Sequence, residues 1–268
     1  MKLDHSLHRI GSDIVAAYLV ETPEGITVID AGLPGHWRDL KDELAMMDRP
    51  VEDIRGVILT HGDSDHIGFA ERLRREHGIP VYVHSADADR ARGGDKPKNE
   101  IGRMRLGATL GFFMYALRKN AMRTAHVTEV VEVADGDVLP LPGAPVIIGM
   151  PGHSPGSIAV HVPVAGAVFV GDALTTRHVL TGRVGGQPAP FTDEPARALD
   201  SLTRIEGLDA AWVLPGHGAP WQGAPRDLVA AVRSAYMKKP RVGPSRIGPI
   251  AVFGLSPPRA LSASAECT

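Results

Sequence analysis

The stretch Val57-Ile58-Leu59-Thr60-His61-Gly62-Asp63-Ser64-Asp65-His66-Ile67-Gly68 decides the fold of this chain. Apolar, β-branched residues lead into two histidines and two aspartates within six positions, which predicts a buried strand ending in a ligand-rich loop. Because side chains alternate along extended backbone, His61 and Asp63 can point the same way, whereas Asp65 and His66 must diverge. One loop could therefore serve two neighbouring metal ions.

The residue types of this loop suit a divalent metal ion. Imidazole nitrogen binds zinc or iron well, and a carboxylate adds negative charge and a harder oxygen donor. The alternative is an ordinary polar turn whose Asp and His side chains cap the following helix. One cluster alone leaves both interpretations open, so the rest of the chain must decide between them.

Length and composition indicate one large or two small globular domains. The chain has 268 residues, 43% of them hydrophobic, which is enough for a full core. A formal charge of −2 gives no reason to expect nucleic acid as a partner. We expect no membrane partner and a cytoplasmic location, since neither a signal peptide nor a bilayer-spanning apolar run is apparent. The single cysteine, Cys267, excludes an intramolecular disulfide.

Short apolar runs alternating with helical spacings predict a mixed α/β chain. Residues 22–25, Thr-Pro-Glu-Gly, predict the turn of a hairpin, and His77-Gly78 is a typical helix end. We predict a strand ending near Thr60 and further strands over 14–20, 26–29, 80–84, 128–133, 138–141, 146–150, 158–162, 167–170 and 211–214. We predict helices over 38–47, 67–76, 85–92, 100–123, 194–205 and 226–239.

Residues 85–125 form a predicted helical insertion with a basic character. Leu106, Leu110, Phe113 and Leu117 fall on one stripe at spacings of four, three and four residues. We favour the interpretation in which this stripe faces the core and the charges are solvated. The alternative is a lid whose apolar face contacts a substrate chain and whose basic side chains attract an anionic group. The basic residues are Arg103, Arg105, Arg118, Lys119 and Arg123.

Three later loops repeat the pattern of the opening stretch. Three predicted strands each lead directly into a glycine-containing loop, and those loops carry His153, Asp172 and His217. Side chains at the same edge of adjacent strands can converge, and glycine lets the backbone approach an ion closely. The repetition favours a metal site over unrelated structural histidines.

With these motifs, the chain resembles the metallo-β-lactamase superfamily from about residue 14 to residue 232. The HxHxDH signature of that family corresponds to residues 61–66, and its later motifs correspond to His153, Asp172 and His217. Asp30 falls where the family has a supporting Asp after an early strand. The resemblance implies an α/β (α+β) fold: a four-layer αββα sandwich of two mixed β-sheets, with the metals at one edge.

The resemblance also implies two divalent metal ions held by seven side chains. The ligands would be His61, Asp63 and His153 for the first ion, Asp65, His66 and His217 for the second, and Asp172 bridging both. Asp63 departs from the family, which has histidine there. Zn²⁺ is the expected metal, but the carboxylate makes Mn²⁺ or Fe²⁺ more plausible than usual. Asp30 would orient one of the ligands.

The implied chemistry is hydrolysis of an ester, lactone or thioester bond in a small molecule. Two metals about 3.5–4 Å apart can share a water and lower its pKa toward about 7, and Asp65 or Asp172 could pass the proton. A cysteine-dependent β-lactam hydrolase is disfavoured because Cys267 lies outside the matched residues. A glyoxalase II would carry an additional C-terminal helical domain, whereas here only one helix and a tail follow, so we expect a lactonase or a general esterase. A phosphodiesterase, a metal- and ligand-binding protein without turnover, and an iron-dependent redox protein remain alternatives.

Weaker predictions concern the substrate pocket and the C-terminal residues. The candidate pocket residues are His36, Trp37, Phe113, Arg177 and His178. We place the metallo-β-lactamase-like domain at residues 1–239 and expect a Pro-rich, flexible tail over 240–268. A homodimer is compatible with these features.

Overall fold

The fold is given by a computed structural model that describes residues 1–94, 96–97 and 104–237. The strands are β1 Leu7–Gly11, β2 Ala16–Thr22, β3 Gly25–Ile29, β4 Ile54–Ile58, β5 Val81–His84, β6 Val131–Val133, β7 Val146–Gly149, β8 Ile158–Val162, β9 Ala167–Gly171, β10 Thr175–Arg177, β11 Val184–Gln187, β12 Trp212–Pro215 and β13 Trp221–Gln222. The α-helices are α1 His36–Met46, α2 Ala70–His77, α3 Ala88–Ala91, α4 Leu106–Arg118, α5 Pro195–Ser201, α6 Thr203–Glu206 and α7 Pro225–Met237.

The first sheet has six strands in the order β1-β2-β3-β4-β5-β6. Its first three strands are antiparallel, and the predicted turn joins β2 to β3 with Thr22 opposite Gly25. Strands β3 to β6 are parallel, because longer connections carry the chain back to the same edge each time. The C-terminal ends of β3 and β4 therefore lie side by side.

The second sheet has five strands in the order β13-β12-β9-β8-β7. Strands β7, β8 and β9 form an antiparallel meander, and β12 joins β9 in parallel. Because β7, β9 and β12 run in the same direction, their C-terminal ends also share one edge. A separate pair, β10 and β11, follows β9.

The two sheets pack face to face, and helices cover their outer faces. Between the sheets lies an apolar cluster in which the rings of Tyr18 and Phe169 are 5.4 Å apart. Leu40 of α1 and Leu73 of α2 pack on the first sheet, and Leu228 of α7 packs on the second. Burial of these apolar surfaces is the dominant force that holds the layers together. The predicted αββα sandwich is confirmed.

The predicted elements differ from the structure in several places. The prediction misses β1, because its His8 and Arg9 are buried with their apolar neighbours and so disrupt the usual alternation. The predicted strand 138–141 is reduced to an isolated bridge between Val138 and Val146. The predicted helix 194–205 is interrupted at Leu202, between α5 and α6.

The prediction that the apolar stripe of the insertion faces the core is wrong. Leu110 and Leu117 are each 58% exposed, and no residue of α4 is buried. Helical spacing reveals an apolar face but not what covers it. Arg103 and the predicted start of this helix at residue 100 lie outside the described residues.

The predicted tail, 240–268, also lies outside the described residues, and the domain boundary at 239 stays a prediction. Among the helices that the structure describes, none is both long enough and apolar enough to cross a bilayer.

Candidate metal centre

The opening stretch leaves β4 at Ile58 and forms a buried, irregular loop that carries four of the predicted ligands. His61, Asp63 and His66 are buried, and Asp65 is partly exposed. Gly62 is required here, because a Cβ at this position would lie 2.6 Å from the Ala91 backbone nitrogen. The loop is therefore pressed against α3.

The second sheet delivers the other three predicted ligands. His153, Asp172 and His217 follow β7, β9 and β12 at their common edge, and all three are buried. Gly216 allows the approach, because a Cβ there would lie 2.5 Å from His66 Cε1 and 2.8 Å from Asp172 Oδ1. The edges of the two sheets thus meet at one cluster.

All seven predicted ligands meet in this cluster. Three groups have ligand atoms within 4.8 Å of one another: His61, His66 and Asp172; His61, Asp63 and His153; and Asp65, His66 and His217. Asp172 lies between them, with Oδ1 3.6 Å from His66 Nε2 and Oδ2 3.2 Å from His217 Nε2 and 3.8 Å from His153 Nε2.

Two of the candidate ligand histidines are held through Nδ1 by fixed acceptors. His66 Nδ1 donates to Asp30 Oδ2 at 2.9 Å, and His217 Nδ1 donates to the Ile14 carbonyl. Asp30 itself adopts a left-handed backbone conformation, with φ of 60°, and also accepts from the Thr60 backbone N–H at 2.8 Å. Asp30 therefore orients a ligand, as its position after β3 predicts.

The other two ligand histidines are oriented by threonines. Thr60 donates its hydroxyl hydrogen to the Asp30 carboxylate, so its oxygen accepts from His61 Nδ1 at 3.1 Å. Thr192 donates to a backbone carbonyl, so its oxygen likewise accepts from His153 Nδ1 at 3.2 Å. All four rings therefore carry hydrogen on Nδ1 and turn Nε2 toward the cluster.

The buried polar atoms at the centre fit a metal site. Within the described part of the chain, Nε2 of His61, His66 and His153 and Oδ1 of Asp172 have no hydrogen-bond partner. Leaving buried polar atoms unpaired is costly, and native proteins rarely do so without a functional reason. Cation coordination by these lone pairs would remove that cost.

Asp63 is anchored by two cations that the sequence analysis did not single out. Arg90 Nε donates to Asp63 Oδ1 at 2.5 Å, and Lys96 Nζ contacts the same oxygen. Arg90 also donates to Asp193 at 2.8 Å. The second carboxylate oxygen, Oδ2, lies 3.7 Å from His153 Nε2. Asp63 therefore has one oxygen fixed by cations and the other directed at the cluster.

Asp87 is a third residue that the sequence analysis did not single out. It is fully buried and accepts hydrogen bonds from Gly62 N at 2.9 Å, Gly156 N at 2.7 Å and Ser154 Oγ at 2.7 Å. These bonds tie the His61 loop to the loop that carries His153. Nothing in the local sequence distinguishes Asp87 from an exposed helical aspartate such as Asp89.

The charged groups of the cluster shift one another's pKa values. Burial works against the charged form of His66, but Asp30 outweighs it and raises the pKa of His66 to about 10. Burial opposes charge on His217 as well, yet Asp172 raises the pKa of His217 to about 9. Burial would raise the pKa of Asp172, but His217 and His66 hold it well below its usual range. A divalent cation could replace the ring protons, so metal binding would release protons.

The five candidate pocket residues have different environments. His36 is fully buried; its Nδ1 accepts from Leu33 N at 2.9 Å and its Nε2 lies 2.7 Å from Tyr115 Oη. These contacts join the start of α1 to α4, and the role of His36 in a pocket lip stays a prediction.

Trp37 is half-buried, and its role in a lip stays a prediction. Its ring packs on Phe69 and His77, and the Arg72 guanidinium lies 4.4 Å from the ring centroid. These contacts hold the indole between α1 and α2.

The remaining candidates lie in more open positions. Phe113 is exposed on α4. Arg177 and His178 are half-buried, next to Thr176, whose backbone N–H donates to the His217 carbonyl at 3.1 Å. Arg177 and His178 therefore keep their candidate role beside the cluster.

Comparison with known proteins bears on this arrangement. The sequence profile of the Metallo-beta-lactamase superfamily matches residues 10–217, which include all seven clustered side chains. The probable metallo-hydrolase YflN of Bacillus subtilis (strain 168) is 27% identical over 228 residues, covering 81% of this chain and 85% of that protein. The hydroxyacylglutathione hydrolase of Rhodobacter capsulatus is 27% identical over 202 residues, covering 75% of this chain and 56% of that protein. The crystal structure of TTHA1623 in a di-iron-bound form is 28% identical with a TM-score of 0.53, covering 80% of this chain and 93% of that one.

Proposed function

This chain belongs to the metallo-β-lactamase superfamily, and on that basis we propose that it hydrolyses an ester, lactone or thioester bond in a small molecule with two divalent metal ions as cofactors. The observation that supports this most is the convergence of four histidine Nε2 atoms whose Nδ1 atoms all have acceptors. Four imidazoles with three carboxylates suit paired zinc, manganese or iron ions. When bound, such ions acidify water and polarise an acyl oxygen.

Each ion would have its own set of ligands. We assign His61, Asp63 and His153 to one ion, Asp65, His66 and His217 to the other, and Asp172 to both. The support is that each of the two triads has its ligand atoms within 4.8 Å of one another.

Asp65 is the better of the two candidates for carrying the proton. Its side chain is 26% exposed, whereas that of Asp172 is 5% exposed. A proton taken up during acyl transfer must eventually reach solvent, and the more exposed carboxylate offers that route. Asp65 Oδ2 also lies 3.4 Å from His217 Nε2, so the carboxylate faces the cluster. We therefore assign proton transfer to Asp65 and a purely structural and electrostatic role to Asp172.

Among the candidate substrates, we favour thioesters. The name of the Rhodobacter capsulatus relative specifies hydrolysis of a hydroxyacylglutathione, which is a thioester. That relative has further sequence that this chain does not match, so glutathione itself is not part of the proposal. Simple thioesters, lactones and esters share an acyl carbon open to attack by water, and the same side chains could serve all three.

The metal itself belongs to the proposal as well. Zinc suits the four imidazoles, and the anchored carboxylate of Asp63 adds a hard oxygen donor that suits manganese or iron. The di-iron form of TTHA1623 supports iron as the alternative and keeps an oxygen-consuming redox protein as the second candidate function.

The test is a turnover panel with protein loaded in turn with zinc, manganese and ferrous iron. The panel contains an acyl thioester, a lactone, an aryl ester and a phosphodiester, with oxygen consumption followed for the iron form. We expect hydrolysis of at least one acyl substrate. Asp65→Asn should reduce kcat about 100-fold or more, and Ser64→Ala, at the exposed neighbouring position in the same loop, should leave it unchanged.

Three outcomes would contradict the proposal. Turnover of the phosphodiester alone would make the protein a phosphodiesterase. Oxygen consumption without hydrolysis would favour the redox function. Bound metal without any turnover would indicate a protein that binds metal and ligand only.

A further inference from the structure

Helix α4 has no part in the proposed chemistry, yet it is firmly attached to the domain along one side. Arg105 N and Thr109 Oγ1 both donate to the Leu180 carbonyl at 3.0 Å. Tyr115 Oη lies 2.7 Å from His36 Nε2. The helix thus bridges the segment after β10 and the start of α1. Its half-buried, inward side consists of Ala108, Thr109, Phe112, Tyr115 and Ala116.

The opposite side of α4 is apolar and turned to solvent. Leu106 is 87% exposed, and the other members of this outer face repeat at spacings of three and four residues from it. The outer face of α4 consists of Leu106, Leu110, Phe113, Met114 and Leu117, all exposed. Because the apolar face points away from the body, it cannot line a cleft beneath the helix. Contiguous exposed apolar surface of this kind marks an interaction site.

The charged residues of the segment that carries this face all have one sign. Between Met104 and Thr128 the sequence contains no Asp or Glu. Arg105, Arg118 and Arg123 are exposed at the two ends of the helix segment. An apolar helical face flanked by basic residues is the pattern of helices that lie in the interface of an anionic bilayer.

A second copy of the chain fits this face less well. A 13-residue helix is about 20 Å long and about 10 Å wide. One face of it therefore offers only a few hundred Å², below the roughly 800 Å² per partner of a standard interface. Pairing two such helices would also bring arginines together without an acidic residue between them, which is unfavourable. A lipid surface avoids both problems, because it needs no protein interface of standard size and its phosphates attract the arginines.

We propose that the outer face of α4 docks on an anionic lipid surface, with the apolar side chains entering the acyl boundary and the arginines contacting lipid phosphate. This departs from the sequence-based expectation of no membrane partner. It is independent of the reaction at the metal centre, because the five outer-face residues are exposed to solvent, whereas six of the seven clustered side chains are buried.

The test is cosedimentation of the full-length protein with vesicles. Phosphatidylcholine vesicles are compared with vesicles that also contain phosphatidylglycerol, at about 3:1. We expect binding to the anionic vesicles, weakened by high salt. Leu110→Gln/Leu117→Gln should lower it at least about tenfold, and Arg118→Gln/Arg123→Gln should weaken its salt dependence, since Arg105 remains. The matched control, Val138→Gln/Val164→Gln, changes two valines that are exposed elsewhere and should bind like wild type.

Each other result overturns the proposal. Equal binding to neutral and anionic vesicles would show that the arginines do not contribute to binding through their charge. Unchanged binding of the leucine variant would place the contact elsewhere. If analytical ultracentrifugation finds a dimer for wild type and a monomer for the leucine variant, a second copy covers α4. Hydrolysis of a soluble substrate, measured in the same samples, reports on the metal centre separately, so failure of one proposal is distinguishable from failure of the other.

Discussion

Asp87→Asn is expected to weaken both the fold and the metal centre, because the Asp87 carboxylate joins the loop of His61 to the loop of His153. Gly62 N and Gly156 N donate to different oxygens of this carboxylate, at 2.9 Å and 2.7 Å. An asparagine amide has only one acceptor oxygen, so its NH₂ group must face one of these two N–H groups. The rotation of the Ser154 hydroxyl can adapt, but the backbone cannot.

The size of the effect follows from that geometry. One charge-assisted hydrogen bond is lost and one buried N–H is left without an acceptor, so the free energy of unfolding should fall by about 2–3 kcal/mol. The loops that carry His61 and His153 are then held less firmly. Zinc affinity should therefore fall by about 10- to 100-fold, the range seen when the partners of metal ligands are replaced.

The assays separate the two effects. Urea denaturation with a chelator present measures the free energy of unfolding of the metal-free protein, and competition with a chromophoric chelator measures zinc affinity. Asp89→Asn is the matched control, because this side chain is 97% exposed and lies two residues away; it should change stability by less than about 0.5 kcal/mol. A stability loss below about 1 kcal/mol or an unchanged zinc affinity for Asp87→Asn would refute the reasoning.

Two further predictions concern residues around the cluster. Asp63→His should tighten zinc binding, because imidazole is the better zinc ligand. It should also destabilise the metal-free protein by about 3 kcal/mol, because buried Arg90 loses one of its carboxylates. Zinc competition and urea denaturation measure the two effects, and weaker zinc binding would contradict the first. His36→Asn should reduce the pH dependence of stability. Burial, with Lys119, lowers the pKa of His36 to about 4. The unfolded chain therefore binds the proton first, and stability falls as the pH drops from about 6.5 toward 4. Between pH 7 and 5, metal-free wild type should lose about 2 kcal/mol more than the variant, and equal losses would rule out this role for His36.

The convergence of the seven candidate ligands could be predicted from the sequence because each of them follows a strand end. Parallel or same-direction strands bring their C-terminal ends to one edge, so residues such as His153 and His217 converge although 64 positions separate them (217 − 153). The family resemblance supplied the proposed assignment of these residues to two ions, and it also suggested that Asp30 orients one of the candidate ligands.

The supporting residues could not be predicted, because their partners are distant in sequence and their local surroundings are ordinary. Asp87 and Arg90 look like exposed helical residues until the fold places Gly156 beside one and Asp63 beside the other. The prediction that the apolar stripe of α4 faces the core was wrong for a related reason. Its spacing gives the helix correctly, but whether Leu110 meets the core or solvent depends on where the whole insertion is attached.

Metal content measured on wild type and His66→Ala tests the central claim most directly. After dialysis against zinc, elemental analysis should find two ions per wild-type chain. His66→Ala removes a buried ligand that lies 3.6 Å from Asp172, so it should retain one ion and lose nearly all turnover. Unchanged metal content and rate in His66→Ala would contradict the account.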